Sequence, residues 1–167
     1  YEAKLLHQFT HRWATYDGEA AHDLTPKELA DPSCSVTPRY YVPADAVNER
    51  LSGRWNQGWL LGFRNVVRTT DERTAIMAIL PLSAVGHSAP LIFTAIEPHV
   101  RNVACFIAIS NSTIFDYVVR QKLGGVNFTF GYFYQLPILP PSAFSEADIA
   151  YIVPRVVELV YTAWDIK

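Results

Sequence analysis

Between positions 102 and 123 the apolar residues recur every three to four positions, and Gly124-Gly125 follows at once. Val103, Phe106, Ile107, Ile109, Ser110, Ile114, Tyr117, Val118 and Gln121 make one broad inward face of a single helix. The glycines read as its stop, one of them left-handed. The period then changes: Phe128, Phe130, Tyr132 and Tyr134 alternate along residues 126–134 as one face of a strand. Their regularity suits a core better than a base-stacking platform. Pro137, Pro140 and Pro141 impose an extended exit, and Ser145 with Asp148 opens a last helix over 146–164, which Pro154 should kink or split. That helix packs on the domain or on a neighbour.

Upstream the signals are shorter. Residues 3–9 read as a strand, Asp17-Gly18 as a turn, and 20–38 as a long loop. One helical turn at 26–29 within that loop has Thr25 as cap and Pro26 in first position. Residues 39–42 read as a short strand, 44–51 as a helix ended by Gly53, and 59–67 as a strand with Gly62 at a bulge or close approach. Thr69-Thr70-Asp71-Glu72 is a turn. Residues 73–80 are a strand, with Thr74, Ile76, Ala78 and Leu80 on one face and Ala75, Met77 and Ile79 on the other. Both faces are apolar or small, so the strand should be buried on both sides and central. Residues 85–88 form a turn and 91–96 another strand. The sum is an α+β fold with a mixed, mostly antiparallel sheet, one long helix before a Gly-Gly turn, and a C-terminal helix.

A chain of 167 residues that is 50% hydrophobic and 18% charged buries enough apolar area to fold, so disorder is excluded. One domain is expected, with a core over 1–141 and a helical segment over 142–167. No apolar run approaches the length of a bilayer span, no signal peptide is visible, and the start on Tyr1 reads as a piece of a longer chain. Cys34 and Cys105 fit no zinc spacing and read as free thiols of a cytoplasmic protein.

The net charge of −2 argues against simple electrostatic binding of nucleic acid, but the charge is uneven. Residues 39–140 carry nine bases against six acids. Within them Arg39, Arg50, Arg54, Arg64, Arg68 and Arg73 occur with no lysine among them, which suits bidentate contacts to phosphates and guanine edges. Surface pairing with Asp45, Glu49, Asp71 and Glu72 is the competing reading.

Catalytic signatures are missing. His7 and His11 stand four apart with no acidic residue at a ligand spacing. No GxGxxG, GxxxxGK[ST] or GxSxG motif is present. Leu139-Pro140-Pro141-Ser142 superficially resembles the Asn/Asp-Pro-Pro-aromatic loop of amino-methyltransferases, without its amide or its aromatic. The chain is therefore expected to perform no catalysis and to hold no metal or cofactor.

Four segments together resemble the target-recognition region of large bacterial restriction-modification proteins. They are residues 1–12, Trp-Leu-Leu-Gly-Phe-Arg-Asn-Val at 59–66, Arg-Thr-Thr-Asp-Glu-Arg-Thr-Ala-Ile at 68–76, and the run over 109–141. The last holds Arg120-Gln121-Lys122-Leu123-Gly124-Gly125 and closes with Gln135-Leu136-Pro137-Ile138-Leu139-Pro140-Pro141. The chain resembles single-chain adenine methyltransferases of the type IIG and BREX-like phage-defence kind, and more distantly type I specificity subunits. The resemblance implies an excised module that reads double-stranded DNA. The S-adenosylmethionine site, the adenine-N6 chemistry and any endonuclease would lie in a methyltransferase domain or other part of the parent chain.

On that reading Arg64, Arg68 and Arg73 flank the Thr69-Thr70 turn and contact phosphate, with the threonine hydroxyls and backbone N–H groups assisting. Arg39, Tyr40, Arg54 and Trp55 are candidates for base readout. His87, Lys122, Asn127 and Thr129 are further candidates near the Gly-Gly turn. Tyr40, Tyr41, Trp55 and Trp59 also admit a carbohydrate- or protein-binding module, and a cryptic nuclease is the remaining alternative.

Overall fold

Seven consecutive residues, Thr74 to Leu80, are buried, and they form the spine on which the rest is packed. The computed structural model describes residues 1–94 and 99–166. The second half of the spine is strand β4, Met77–Pro81, paired antiparallel with β3, Trp59–Phe63, so that Phe63 faces Met77 and Trp59 faces Pro81. (The other hairpin, Ala14–Asp17 with Ala20–Asp23, gives β1 and β2.) Side chains alternate as the sequence pattern requires. Ile76, Ala78 and Leu80 pack with Ala3, Leu6, Trp55 and Leu60, while Met77 and Ala75 join Phe63, Phe115 and Phe128. Each large apolar side chain so buried stabilises the fold by about 1.5–3 kcal/mol.

Among the described residues six α-helices complete an α+β architecture: α1 (Pro26–Ala30), α2 (Ala44–Leu51), α3 (Val100–Ser110), α4 (Thr113–Lys122), α5 (Phe130–Phe133) and α6 (Glu146–Val160). Helix α6 packs along α3, where Val156 and Val160 meet Val103 and Ile107 beneath Ile79. The caps expected at Thr25 and at Ser145 with Asp148 both form, and Glu28 completes a capping box with Thr25 that was not anticipated. Gly18 and Gly53 take positive φ, at the β1–β2 turn and after α2. Gly62 is a close approach, since a Cβ there would meet Leu80 Cδ1 at 3.2 Å.

The structure corrects several local expectations. Residues 3–9 form no strand: Ala3–Leu5 is a 3-10 turn, closed by Leu5 N–H on Glu2 O and Leu6 N–H on Ala3 O, which sends the buried Leu5 and Leu6 into different clusters. The strand lies later, at β1, and its partner β2 occupies the start of the expected loop. Residues 39–42 form no ladder; Tyr40, Tyr41 and Val42 stand out in solvent. The strands expected over 59–67 and 73–80 are shorter, as β3 and β4. Of the strand expected over 91–96, Leu91 makes one bridge to Gly62 beyond β3, while residues 95–96 lie outside the described residues.

The helical run of 102–123 is realised as α3 and α4, bent by 60° at Asn111-Ser112. The cause is a side chain acting as a strand. Asn111 lies against the outer edge of β4, its Nδ2 donating to Met77 O at 2.9 Å and its Oδ1 accepting from Met77 N–H at 3.0 Å. Phe9 N–H adds a bond to the same carbonyl. So β4 is buried on both faces yet is an edge completed by an amide. Ser112 then caps α4 by accepting from Phe115 N–H. The new helix starts with a new phase, which buries Phe115, Asp116 and Val119 and leaves Ile114, Tyr117 and Gln121 exposed.

Neither Gly124 nor Gly125 is left-handed; Leu123 ends α4 in extended backbone. The strand expected over 126–134 is a single bridge, Asn127 to Val66, followed by α5. Phe128 and Phe133 are buried against Phe63, and Tyr134 is exposed, because a helical turn brings Phe130 and Phe133 to the same ring cluster. Helix α6 passes through Pro154 unsplit and stops at Val160, short of Trp164. No single helix among the described residues is long and apolar enough to cross a membrane.

The tail after α6 returns to the amino-terminal segment. His11 Nε2 lies 2.8 Å from Asp165 Oδ1, with the histidine side chain fully buried. Burial pushes the Asp165 carboxyl up, but the hydrogen bond and charge of His11, with Arg12 beyond, outweigh it and hold the pKa below the ordinary value. A depressed carboxylate contributes stability above its unfolded pKa, about 3.9, and loses it as pH falls through the folded value. Asp165→Asn is thus expected to flatten the loss of urea stability below about pH 4. Parallel acid profiles for the variant and the parent would refute the assignment.

Candidate functional site

The backbone between β3 and β4 carries the arginine-rich residues, and its course decides which of them meet. Leaving β3, Arg64 pairs its N–H with Ile76 O, and residues 65–67 run beside 126–128. Arg64 is half-buried and donates through Nε to Leu6 O at 2.8 Å. Burial pulls its guanidinium below the ordinary value, and Asp23 and Asp71 act in the opposite direction. Arg68 is exposed. A groove of about 610 Å³ opens here, lined by Lys4, Arg64 and Arg68 together with Trp13, Asp23 and Glu2.

The turn after Arg68 is held from below. Asp116, buried on α4, accepts the backbone N–H groups of Thr74 and Ala75, both at 2.7 Å. Its second oxygen takes Arg120 Nε at 2.8 Å, one helical turn on. Arg120 then spreads its remaining donors over the carbonyls of Thr69, Asp71 and Glu72. Five polar groups of one loop are satisfied by two side chains, so the turn is fixed before any ligand arrives. Arg120 and Asp116 carried no signal as site residues in the sequence; only their spacing of four marked them as a helical pair.

Of the anticipated residues, Arg64, Arg68 and Arg73 share a side of the molecule. His7, whose pKa is lowered first by burial and then by Arg64, also feels Arg73. Arg73 reaches Thr113 Oγ1 at 3.5 Å. Thr69 and Thr70 lie at the turn as expected. The Arg68 N–H, however, is taken by Asp71 Oδ2 at 3.2 Å, so that amide is not free for phosphate. Asn127 adjoins the groove through its bridge to Val66, with Lys122 and Thr129 exposed on either side of that bridge along the chain. His87 is exposed in the turn next to Ser88, which also lines the groove.

The four anticipated base readers, Arg39, Tyr40, Arg54 and Trp55, do not line this groove. Trp55 is buried, donates through Nε1 to Trp59 O, and packs on Trp59 and Phe93. It is a core residue, because the chain folds back on α2 there. Arg54 is exposed beside it. Arg39 lies over the Tyr40 ring at 5.3 Å and within 3.8 Å of Glu19. Tyr40 and Tyr41 line a separate groove of about 320 Å³ with Tyr1 and Asn48.

Lys4, Trp13 and Asp23 were missed. The signal for the last two was Gly18: a two-residue hairpin loop at Gly18-Glu19 pairs Asp17 with Ala20 and Ala14 with Asp23, and brings Trp13 beside that carboxylate. Among the described residues no three His, Cys, Asp or Glu side chains gather as for a metal ion. No family model, curated protein or solved structure matches the chain.

Proposed function

We infer that the chain is a recognition module for double-stranded DNA, with Lys4, Arg64 and Arg68 as phosphate contacts and Arg73 and Asn127 at the margins. The observation carrying this reading is the convergence of three cations, Lys4 from the amino-terminal segment and Arg64 and Arg68 from the stretch after β3, on one concave surface. The turn beside them is pre-ordered, which lowers the entropy lost on binding. Phosphate contacts set register and base edges set sequence. With a net charge of −2, the isolated module binds weakly, and a methyltransferase domain in the same parent chain supplies the rest of the clamp and the S-adenosylmethionine chemistry. Such a machine works in the bacterial cytoplasm. This chain itself makes and breaks no bond.

Arg68 is exposed and its guanidinium makes no hydrogen bond or ion pair among the described residues, so its removal spares the fold. Arg68→Ala is expected to weaken binding to duplexes of any sequence and to reduce the slope of log K against log salt by about one. An unchanged slope removes Arg68 from the phosphate contacts.

A second reading has its own observation. Tyr40 and Tyr41 are 65% and 77% exposed on the separate aromatic groove. Such rings present large rigid faces to a sugar or a protein partner. Under that reading Tyr40→Ala abolishes binding and Arg68→Ala leaves it intact.

A further inference from the structure

The groove is more selective than a phosphate track requires. At the open end of the β1–β2 hairpin, Ala14 pairs with Asp23 and Leu24 N–H bonds Trp13 O, so an indole and a carboxylate emerge together. Across from them stand Lys4, Arg64 and Arg68. Trp13 is backed by His7, ring to ring at 4.5 Å. The side chains of Lys4, Asp23 and Arg68 make no hydrogen bond or ion pair within 4 Å among the described residues, whereas the other acid of the groove, Glu2, is engaged by Tyr16 Oη. The Arg64 Nε is committed to Leu6 O, which orients its two Nη groups without consuming them. The volume of about 610 Å³ is that of a small-molecule site and too small for a duplex.

We propose that this groove takes one unstacked nucleotide whose base carries an amino group at the adenine 6 or cytosine 4 position. Its phosphate lies on Lys4, Arg64 and Arg68, its base lies against Trp13, and Asp23 accepts from the amino group. A free carboxylate accepts from that group and repels the carbonyl oxygen that thymine and guanine place there. The proposal rests on the DNA reading and adds to it a base-selective pocket. The nucleotide comes either from a strand in which one base is unpaired or from solution.

The test follows the four tryptophan indole N–H signals by two-dimensional NMR, with Trp13 assigned through Trp13→Phe. The probes are dAMP, dCMP, dTMP, a duplex with one unpaired adenine, and the same duplex fully paired. The Trp13 signal is expected to shift with dAMP and dCMP about tenfold more tightly than with dTMP, or with the unpaired adenine alone if the strand is the source. Asp23→Ala, an exposed site, is expected to erase that preference. No shift with any mononucleotide or with the unpaired adenine overturns the proposal, as does a preference that survives Asp23→Ala. If the paired duplex then still binds with the Arg68-dependent salt slope, the DNA reading stands without the pocket. If mononucleotides bind selectively and the paired duplex does not bind, the pocket stands and the duplex reading falls.

Discussion

Arg12→Met is expected to cost about 3–5 kcal/mol of folding stability, a large part of the 5–15 kcal/mol that a domain has. Arg12 is completely buried, and among the described residues no carboxylate pairs with its guanidinium. Its charge is spread instead over four backbone carbonyls. Nη1 donates to Asp31 O and Cys34 O, both at 2.8 Å, and Nη2 to Leu29 O at 3.0 Å and Thr162 O at 2.7 Å. These carbonyls belong to the end of α1, the loop after it, and the tail beyond α6. Methionine keeps most of the stem's volume and removes every donor. Each orphaned buried acceptor costs about 1–3 kcal/mol, and the total stays below four times that because the tail can rise and admit water. Arg12→Lys recovers less than half, since a three-donor ammonium cannot match a planar fork. The measurement is the urea midpoint, with exposed Arg50→Met as control, expected within about 0.5 kcal/mol of the parent. Equal midpoints for the two methionine variants would show that Arg12 is not a brace.

The same contrast separates what could be read from the sequence from what could not. Thr25, Ser145 with Asp148, Asp17-Gly18 and Gly53 act within four residues of themselves, and all took the predicted forms. The two-faced burial of residues 74–80 was likewise local, because alternation is a property of one strand. Failures came where a side chain bonded backbone far away in sequence. Asn111 completes an edge of β4 and so breaks a helix whose apolar spacing looked continuous. Phe130 and Phe133 preferred one turn of helix over a strand because Phe63 stood within ring contact of both. The site shows the same division. Arginine without lysine was visible as composition, but the chain sends Arg39 and Arg54 away from Arg64, Arg68 and Arg73. Lys4, Trp13 and Asp23 enter the groove only through the packing of the amino-terminal segment and the register of a hairpin.

Asp116→Ala tests whether that site is held by its support as argued. The substitution is expected to cost about 3–5 kcal/mol, because it removes one member of a buried pair and strands two buried amides at once. Thr74 and Ala75 N–H lose the acceptor they have among the described residues, and Arg120 keeps its hold on the turn carbonyls without Asp116 behind it. Arg120→Ala should cost less, since its side chain is a quarter exposed and the carbonyls of Asp71 and Glu72 can turn to water. The two variants also differ in kind. Amide exchange at Thr74 and Ala75 accelerates in Asp116→Ala and stays slow in Arg120→Ala. In Arg120→Ala the amides of 69–72 exchange faster, and DNA binding weakens with no change at Arg68 itself. The double variant should fall short of the sum of the two by about 0.5–3 kcal/mol, the coupling expected of groups in one hydrogen-bond network. Additive losses, or slow exchange at Thr74 and Ala75 without the carboxylate, would mean that the turn is ordered by something other than α4, and the proposed phosphate-binding surface would lose its foundation.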